Sequence, residues 1–255
     1  MSIQRKTLGI IGMGAFGRFL AGHLAPWFDL KAHDPRPPEA PPGDGAPVPA
    51  SLAATAACDL VVFAVPLAAL PAAAAAAAAH LRPGTLVLDV TSVKVRPVEI
   101  LSRLLPESVD LFCTHPLFGP QSGKNGIVGL KIALCPVRLS QERFHRVFDF
   151  LTDRLKLSAF KTTPEEHDRE MARVQAMTHF ISRALKEIGM APSPMATHAY
   201  DKLQEFASVA LSDSWDLFLT IQNGNPFAGE MRGRLKREME SLERRLGETV
   251  PVDAV

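Results

Sequence analysis

Thr7-Leu8-Gly9-Ile10-Ile11-Gly12-Met13-Gly14-Ala15-Phe16-Gly17 decides how this chain is read. The first five residues are a short apolar run, the next six a glycine turn, and Arg18 to Ala25 continue in a helical pattern. Strand, turn and helix in that order form a phosphate cradle. Gly12 permits the tight turn, Gly14 lets the backbone approach a pyrophosphate, and Gly17 lets helix and strand pack closely. Ala15 and Phe16 sit at the helix N-terminus, whose partial positive charge favours phosphate. A second strand, Leu30 to His33, ends at Asp34, about twenty residues past the glycines, where a carboxylate accepts hydrogen bonds from the adenosine ribose. That favours NAD. Arg36, two residues on, offers a partner for the 2′-phosphate of NADP.

Working outward, Pro35 to Pro49 is a proline- and glycine-rich surface loop, after which a strand-helix rhythm resumes. Leu60 to Pro66 reads as a central parallel strand, with Val65 at its carboxyl end facing the cofactor. The alanine run Ala72 to Ala79 reads as a helix, since alanine has the highest helix propensity. Thr85 to Val90 is the next strand; it delivers Ser92 and Lys94 toward the same crevice, although the same spacing suits a helix cap and a solvated lysine. Further strands are expected at Leu111–Thr114, Lys131–Pro136 and Leu157–Thr162, with a helix at Gln141–Leu155. This is an α/β fold: a Rossmann-type, doubly wound, mainly parallel sheet over residues 1–162.

The remainder, 163–255, should be an all-α domain that binds substrate and dimerises. Thr163-Pro164-Glu165-Glu166 is a helix start, and helical patterns follow from Glu165 to about Gly189, from about Thr197 to Gln222, and from about Pro226 to Leu246. Met231, Leu235, Met239, Leu242 and Leu246 form one stripe on the last. Three helices make a small core, so burial against a second copy predicts a homodimer.

Composition narrows the function. With 28 Lys plus Arg against 27 Asp plus Glu, the net charge of +1 gives no electrostatic case for nucleic acid or a membrane surface. A small-molecule substrate is expected. Glycines interrupt the apolar stretch near Met1 and no small-residue cleavage site follows, while the alanine run is too short to span a bilayer, so the expected location is cytoplasmic. Cys58, Cys113 and Cys135 lack metal-like spacing and read as buried thiols of a reducing compartment; no histidine ligand pair is present, and no metal is expected.

Between two strands lies Thr114-His115-Pro116-Leu117-Phe118-Gly119-Pro120-Gln121-Ser122-Gly123-Lys124-Asn125-Gly126, read as a rigid, polar, site-bearing loop. Together with Gly12-x-Gly14-x-x-Gly17, Asp89-Val90-Thr91-Ser92-Val93-Lys94, Glu166-His167-Asp168 and Thr178-His179, it resembles the prephenate/arogenate dehydrogenases of tyrosine biosynthesis, in order along nearly the whole chain. The Ser122-Gly123-Lys124-Asn125-Gly126 ending and Ser212-Asp213-Ser214-Trp215-Asp216-Leu217-Phe218 are closer to the plant-type arogenate enzymes. No arginine stands around Ser208, where the bacterial prephenate enzymes carry one.

The resemblance implies oxidative decarboxylation of a cyclohexadienol with hydride transfer to NAD or NADP. It implies His115 as general base, Ser92 bonded to the substrate hydroxyl or to His115, and Lys94 near the nicotinamide or a carboxylate. Lys124, Gln121, Ser122 and His179 would bind substrate. Asp213 would favour the ammonium of arogenate over the keto group of prephenate. His179 equally suits a helix core, and His167 with Asp168 a helix start. Oxidation of prephenate to 4-hydroxyphenylpyruvate is the alternative activity, and a nucleotide-binding regulator without catalysis the alternative class.

Overall fold

The computed structural model describes residues 5–36, 47–209 and 214–248. Contacts divide the chain into two compact units, Met1–His167 and Asp168–Val255. This boundary falls five residues after the expected one at 162, because the first turn of the helix opening at Pro164 packs with the sheet unit.

In the first unit, β1 (Thr7–Ile11), α1 (Ala15–Leu24), β2 (Asp29–His33), β3 (Val48–Pro49), α2 (Leu52–Ala56) and β4 (Leu60–Phe63) come first. They are followed by α3 (Leu70–Ala78), β5 (Leu86–Asp89), α4 (Val95–Leu104), β6 (Asp110–Pro116), β7 (Lys131–Arg138), α5 (Gln141–Asp149) and β8 (Ser158–Lys161). The sheet order is β3-β2-β1-β4-β5-β6-β7-β8, and β6–β7 is the antiparallel pair among otherwise parallel neighbours. The order runs outward in both directions from β1 and β4, and this reversal creates a crevice at the carboxyl ends of the strands.

Apolar strands build a core on both faces, as a covered parallel sheet requires. Val61, Phe63, Val87, Leu111 and Cys113 pack with α3 and α4. Leu8, Ile10 and Val62 pack toward α1 on the other face, while Leu86, Phe112, Ile132 and Leu134 cluster with Phe144 of α5. In the alanine helix, Ala74 and Ala77 are fully buried, so its small side chains serve close approach to the sheet as well as helix propensity. All three cysteines are free and buried, as expected.

The second unit is helical: the remainder of α6 (Pro164–Met171), α7 (Met177–Ile188), α8 (His198–Val209), α9 (Trp215–Leu219) and α10 (Ala228–Glu248). A π turn, Ala172–Ala176, separates α6 from α7, and Gly189 ends α7 at φ 81°, a left-handed cap suited to glycine. The helix expected from Thr197 to Gln222 is divided. α8 ends at Val209, and Ser214 starts α9 by accepting a hydrogen bond from the Leu217 amide at 3.2 Å. The cap at Ser214 outcompetes continuation of the helical pattern. Gln222 donates to the Ala176 carbonyl at 2.7 Å and Asn225 to the Asp168 carbonyl at 2.7 Å, so this unit has its own buried polar ties. Among the described residues, no helix is long and apolar enough to cross a membrane.

Candidate active site

The glycine turn after β1 has the shape a dinucleotide needs. Gly12 has φ 102°, and a Cβ there would lie 2.5 Å from the Ala64 carbonyl oxygen. At Gly17 a Cβ would lie 2.1 Å from the Gly12 carbonyl oxygen, so helix and turn touch only because Gly17 lacks a side chain. Gly14 faces open space, and Gly14 and Ala15 are exposed at the start of α1, a helix N-terminus of the kind that favours anions. Val65 lies beside Gly12 at the end of β4, and Phe16 is half-buried on the first turn of α1. Asp34 follows β2. Its carboxylate accepts from the Met13 amide at 2.7 Å and the Arg36 amide at 2.9 Å, which locks the acid beneath the turn. The Arg36 guanidinium, 3.9 Å from the same carboxylate, is 86% exposed and free to reorient. An open glycine cradle with an ordered carboxylate at the end of the next strand fits a dinucleotide.

The second cluster stands where β5 ends. Asp89 pairs with Cys113, and beyond that register β6 has β7 alone beside it. β6 nevertheless runs through His115, opposite Ala133, and Pro116, opposite Ile132. His115 therefore stands in a strand and not in the loop expected from composition. The missing amide of Pro116 is tolerated because β5 has already stopped.

Side chains take over from β5 on this open edge. The Lys94 ammonium donates to the Thr114 carbonyl at 2.6 Å and forms a charge-assisted bond with the Asp89 carboxylate. The Thr114 hydroxyl donates to the Asp89 carbonyl at 2.9 Å. Thr91 completes the group, its amide donating to Asp89 at 3.0 Å. Lys94 and Asp89 are fully buried. In this structure the Lys94 ammonium is thus engaged by Asp89, and it braces the residue preceding His115. Among the described residues, Ser92 makes no hydrogen bond to His115. Its half-buried hydroxyl stands on the turn between β5 and α4.

His115 is paired with a different residue. Its Nδ1 lies 2.9 Å from Nε2 of His167 on α6, with both rings buried and inclined at 70°. Burial first, then the nearby His167 and Lys94, hold the His115 imidazole well below the usual histidine pKa. It is neutral at pH 7 and can accept a proton. A further apolar cavity of about 380 Å³ runs along the sheet face, walled by Phe16, Phe19, Leu88, Val90, Pro116 and Phe118. Those walls are hydrocarbon; the paired imidazoles stand at the end of β6.

Comparison with known proteins agrees with this geometry. The family described as prephenate dehydrogenase, nucleotide-binding domain, matches residues 45–155, and a TYRAAT1-like C-terminal domain matches 184–253. Arogenate dehydrogenase 2, chloroplastic, from Arabidopsis thaliana is 35% identical over 175 residues, 66% of this chain and 48% of that protein. Over the matched residues the chain is similar to the prephenate/arogenate dehydrogenases. It spans about half the length of that curated relative. Arogenate dehydrogenase from Synechocystis shares the fold, with a TM-score of 0.69 at 18% identity over 94% of this chain and 91% of that one. So does prephenate dehydrogenase from A. aeolicus in complex with hydroxyphenyl propionate and NAD+, with a TM-score of 0.70 at 20% identity over 98% and 94%. The match to a plant enzyme bears out the likeness to plant-type arogenate dehydrogenases within the family.

Other family motif residues occupy simpler settings. Gln121 and Lys124 are exposed on the loop after β6. The Ser122 hydroxyl is engaged in the turn itself, accepting from the Gly119 amide at 2.9 Å. Gly123 is pressed on the Phe19 ring, where a Cβ would lie 2.5 Å from Cζ, and this anchors an otherwise exposed loop. His179 is half-buried on α7 of the second unit. Asp213 lies outside the described residues. Pattern reading undervalued His167, treated as part of a helix start, and Asp89, treated as the end of a strand. A carboxylate and a lysine five residues apart at a strand end was the available signal for a buried pair.

Proposed function

We propose that the protein oxidatively decarboxylates arogenate to tyrosine, using NAD in preference to NADP. The observation that carries this reading is His115: a neutral imidazole fixed at the end of β6 in the same unit as an open dinucleotide cradle. Gly12, Gly14, Ala15, Phe16, Gly17 and Val65 would hold the dinucleotide, with Asp34 on the adenosine ribose and Arg36 the group that admits a 2′-phosphate. When bound, the nicotinamide supplies a two-electron hydride acceptor.

The residues supply everything else. As the carbinol carbon is oxidised, positive charge grows on its oxygen; His115 relieves it by taking the hydroxyl proton, and Ser92 orients that hydroxyl. The O–H bond breaks and an N–H bond forms on His115. The ring carboxylate then leaves as carbon dioxide, its bonding electrons complete the aromatic ring, and His115 returns the proton to the phenolate. Lys124, with Gln121 and Ser122 on the same loop, draws in the anionic substrate, and His179 is a further substrate-binding residue. Asp213 pairs with the ammonium of arogenate and repels the more negative prephenate.

The domain of residues 1–162 serves the cofactor, and that of 163–255 serves substrate and dimerisation. Met239, Leu242 and Leu246 of α10 are 62%, 56% and 69% exposed, which supports a homodimer joined along this stripe. We place the protein in the cytoplasm. Initial rates at the reduced-nicotinamide absorbance, with arogenate or prephenate and NAD or NADP, test the reading. Arogenate with NAD is expected to be fastest; preference for prephenate would replace the substrate assignment, and no turnover of either would overturn the enzyme assignment.

A further inference from the structure

Two buried imidazoles in contact pose a protonation question that a single general base does not. The 2.9 Å contact joins His115 Nδ1 to His167 Nε2, and between two neutral rings it holds one proton. If that proton belongs to His167, neutral His115 carries its own proton on Nε2 and has no lone pair there for substrate. If the proton belongs to His115 Nδ1, the lone pair is on Nε2 and the ring can act as a base. Which nitrogen of an imidazole is protonated is set by the hydrogen bond that the other makes. The charged groups around the pair leave this choice to His167. Lys94 is engaged by Asp89 and the Thr114 carbonyl, while strand pairing with Ala133 fixes the backbone of His115 without touching its ring.

We propose that His167 is a positioning residue that accepts a hydrogen bond from His115 Nδ1–H, holding His115 in the tautomer whose Nε2 can take the substrate proton. The same bond stabilises the transient imidazolium, because a charged donor strengthens a hydrogen bond that is already in place. The reaction balance suits this role. The proton taken from the carbinol returns to the phenolate, so His167 has to hold a tautomer and not to export a proton. The proposal rests on the dehydrogenase reading above, which makes His115 the base.

The test combines a spectrum with rates, using the full chain. In protein labelled with 15N-histidine, the His115 signals are assigned by their loss in His115→Asn. At neutral pH, Nδ1 is expected to be protonated and Nε2 unprotonated; the reverse pattern would overturn the proposal. His167→Gln keeps a carbonyl acceptor within reach of Nδ1, whereas His167→Phe removes it. The Phe variant is expected to lower kcat about 10²-fold with KM for NAD within about twofold, and to move His115 toward the Nε2–H tautomer. The Gln variant is expected to retain most of kcat. Equal loss in both variants, or an unchanged tautomer in the Phe variant, would overturn the role. Should His167→Phe fail to fold, the wild-type spectrum and the Gln variant still decide. If neither substrate is oxidised by the wild-type protein, the dehydrogenase reading fails while the spectrum still determines the tautomer.

Discussion

The turn after β1 is shaped by side chains that are missing; the end of β6 is shaped by side chains that are buried. At the first, Gly12 and Gly17 let backbone approach backbone, and the binding surface is made of amides. At the second, Asp89, Lys94 and Thr114 replace a neighbouring strand and hold His115 against His167. The contrast teaches that a place for a cofactor can be built from local geometry alone, whereas a base needs partners that are distant in the chain.

Substitutions can break that comparison, and the largest effect is expected at the buried pair. Lys94→Ala leaves the Asp89 carboxyl group buried without its ammonium. It should destabilise the protein by about 3–5 kcal/mol in urea unfolding, while Asp89→Leu with Lys94→Met should recover much of the loss. A loss below about 1 kcal/mol would show that side chains do not bear the end of β6. An intermediate effect is expected at the turn. Gly17→Ala drives a Cβ toward the Gly12 carbonyl and should cost about 1–3 kcal/mol. Gly14→Ala meets open space and should leave stability within about 1 kcal/mol, yet raise the KM for NAD. If the two alanine variants proved equally stable, the close-packed reading of the turn would fall.

The smallest effect is in pH. An unfolded histidine titrates near ~6.5, while folded His115 titrates well below its usual value, held down by burial, His167 and Lys94. As pH falls below about 6.5 the unfolded chain takes up a proton that the folded site refuses. The stability His115 contributes is therefore complete above that pH and is lost toward the folded pKa, at up to about 1.4 kcal/mol per pH unit. Urea midpoints between pH 7.5 and 5.5 should fall less steeply in His115→Asn; identical slopes would mean that His115 is not buried neutral.

The same contrast explains what the sequence alone made legible. The β1 turn was fully readable, because Gly12, Gly14, Gly17 and Asp34 act through spacing within thirty residues, and apolar runs located the central strands. The extension of β6 through His115 was not readable: it depends on pairing with β7, whose register no local pattern reveals. Lys94 was assigned to the ligand crevice because the carboxyl ends of parallel strands face it, and only the fold shows its pairing with Asp89. His167 lies 52 residues from His115 and reads locally as one turn of a charged helix start. The break between α8 and α9 was signalled by Ser214, a good cap residue, but a continuous apolar rhythm masked it.

One consequence follows from the early stop of β5. Because Lys94 and Thr114 clamp the strand just before His115, the imidazole does not depend on the segment from Leu117 to Leu130 for its position. That segment can exchange residues, or change length, without disturbing the proton acceptor. On the proposed function, substrate preference and chemical competence would therefore be separately inheritable: descendants of this chain could drift between related acids by altering the loop while the proposed reaction stays intact.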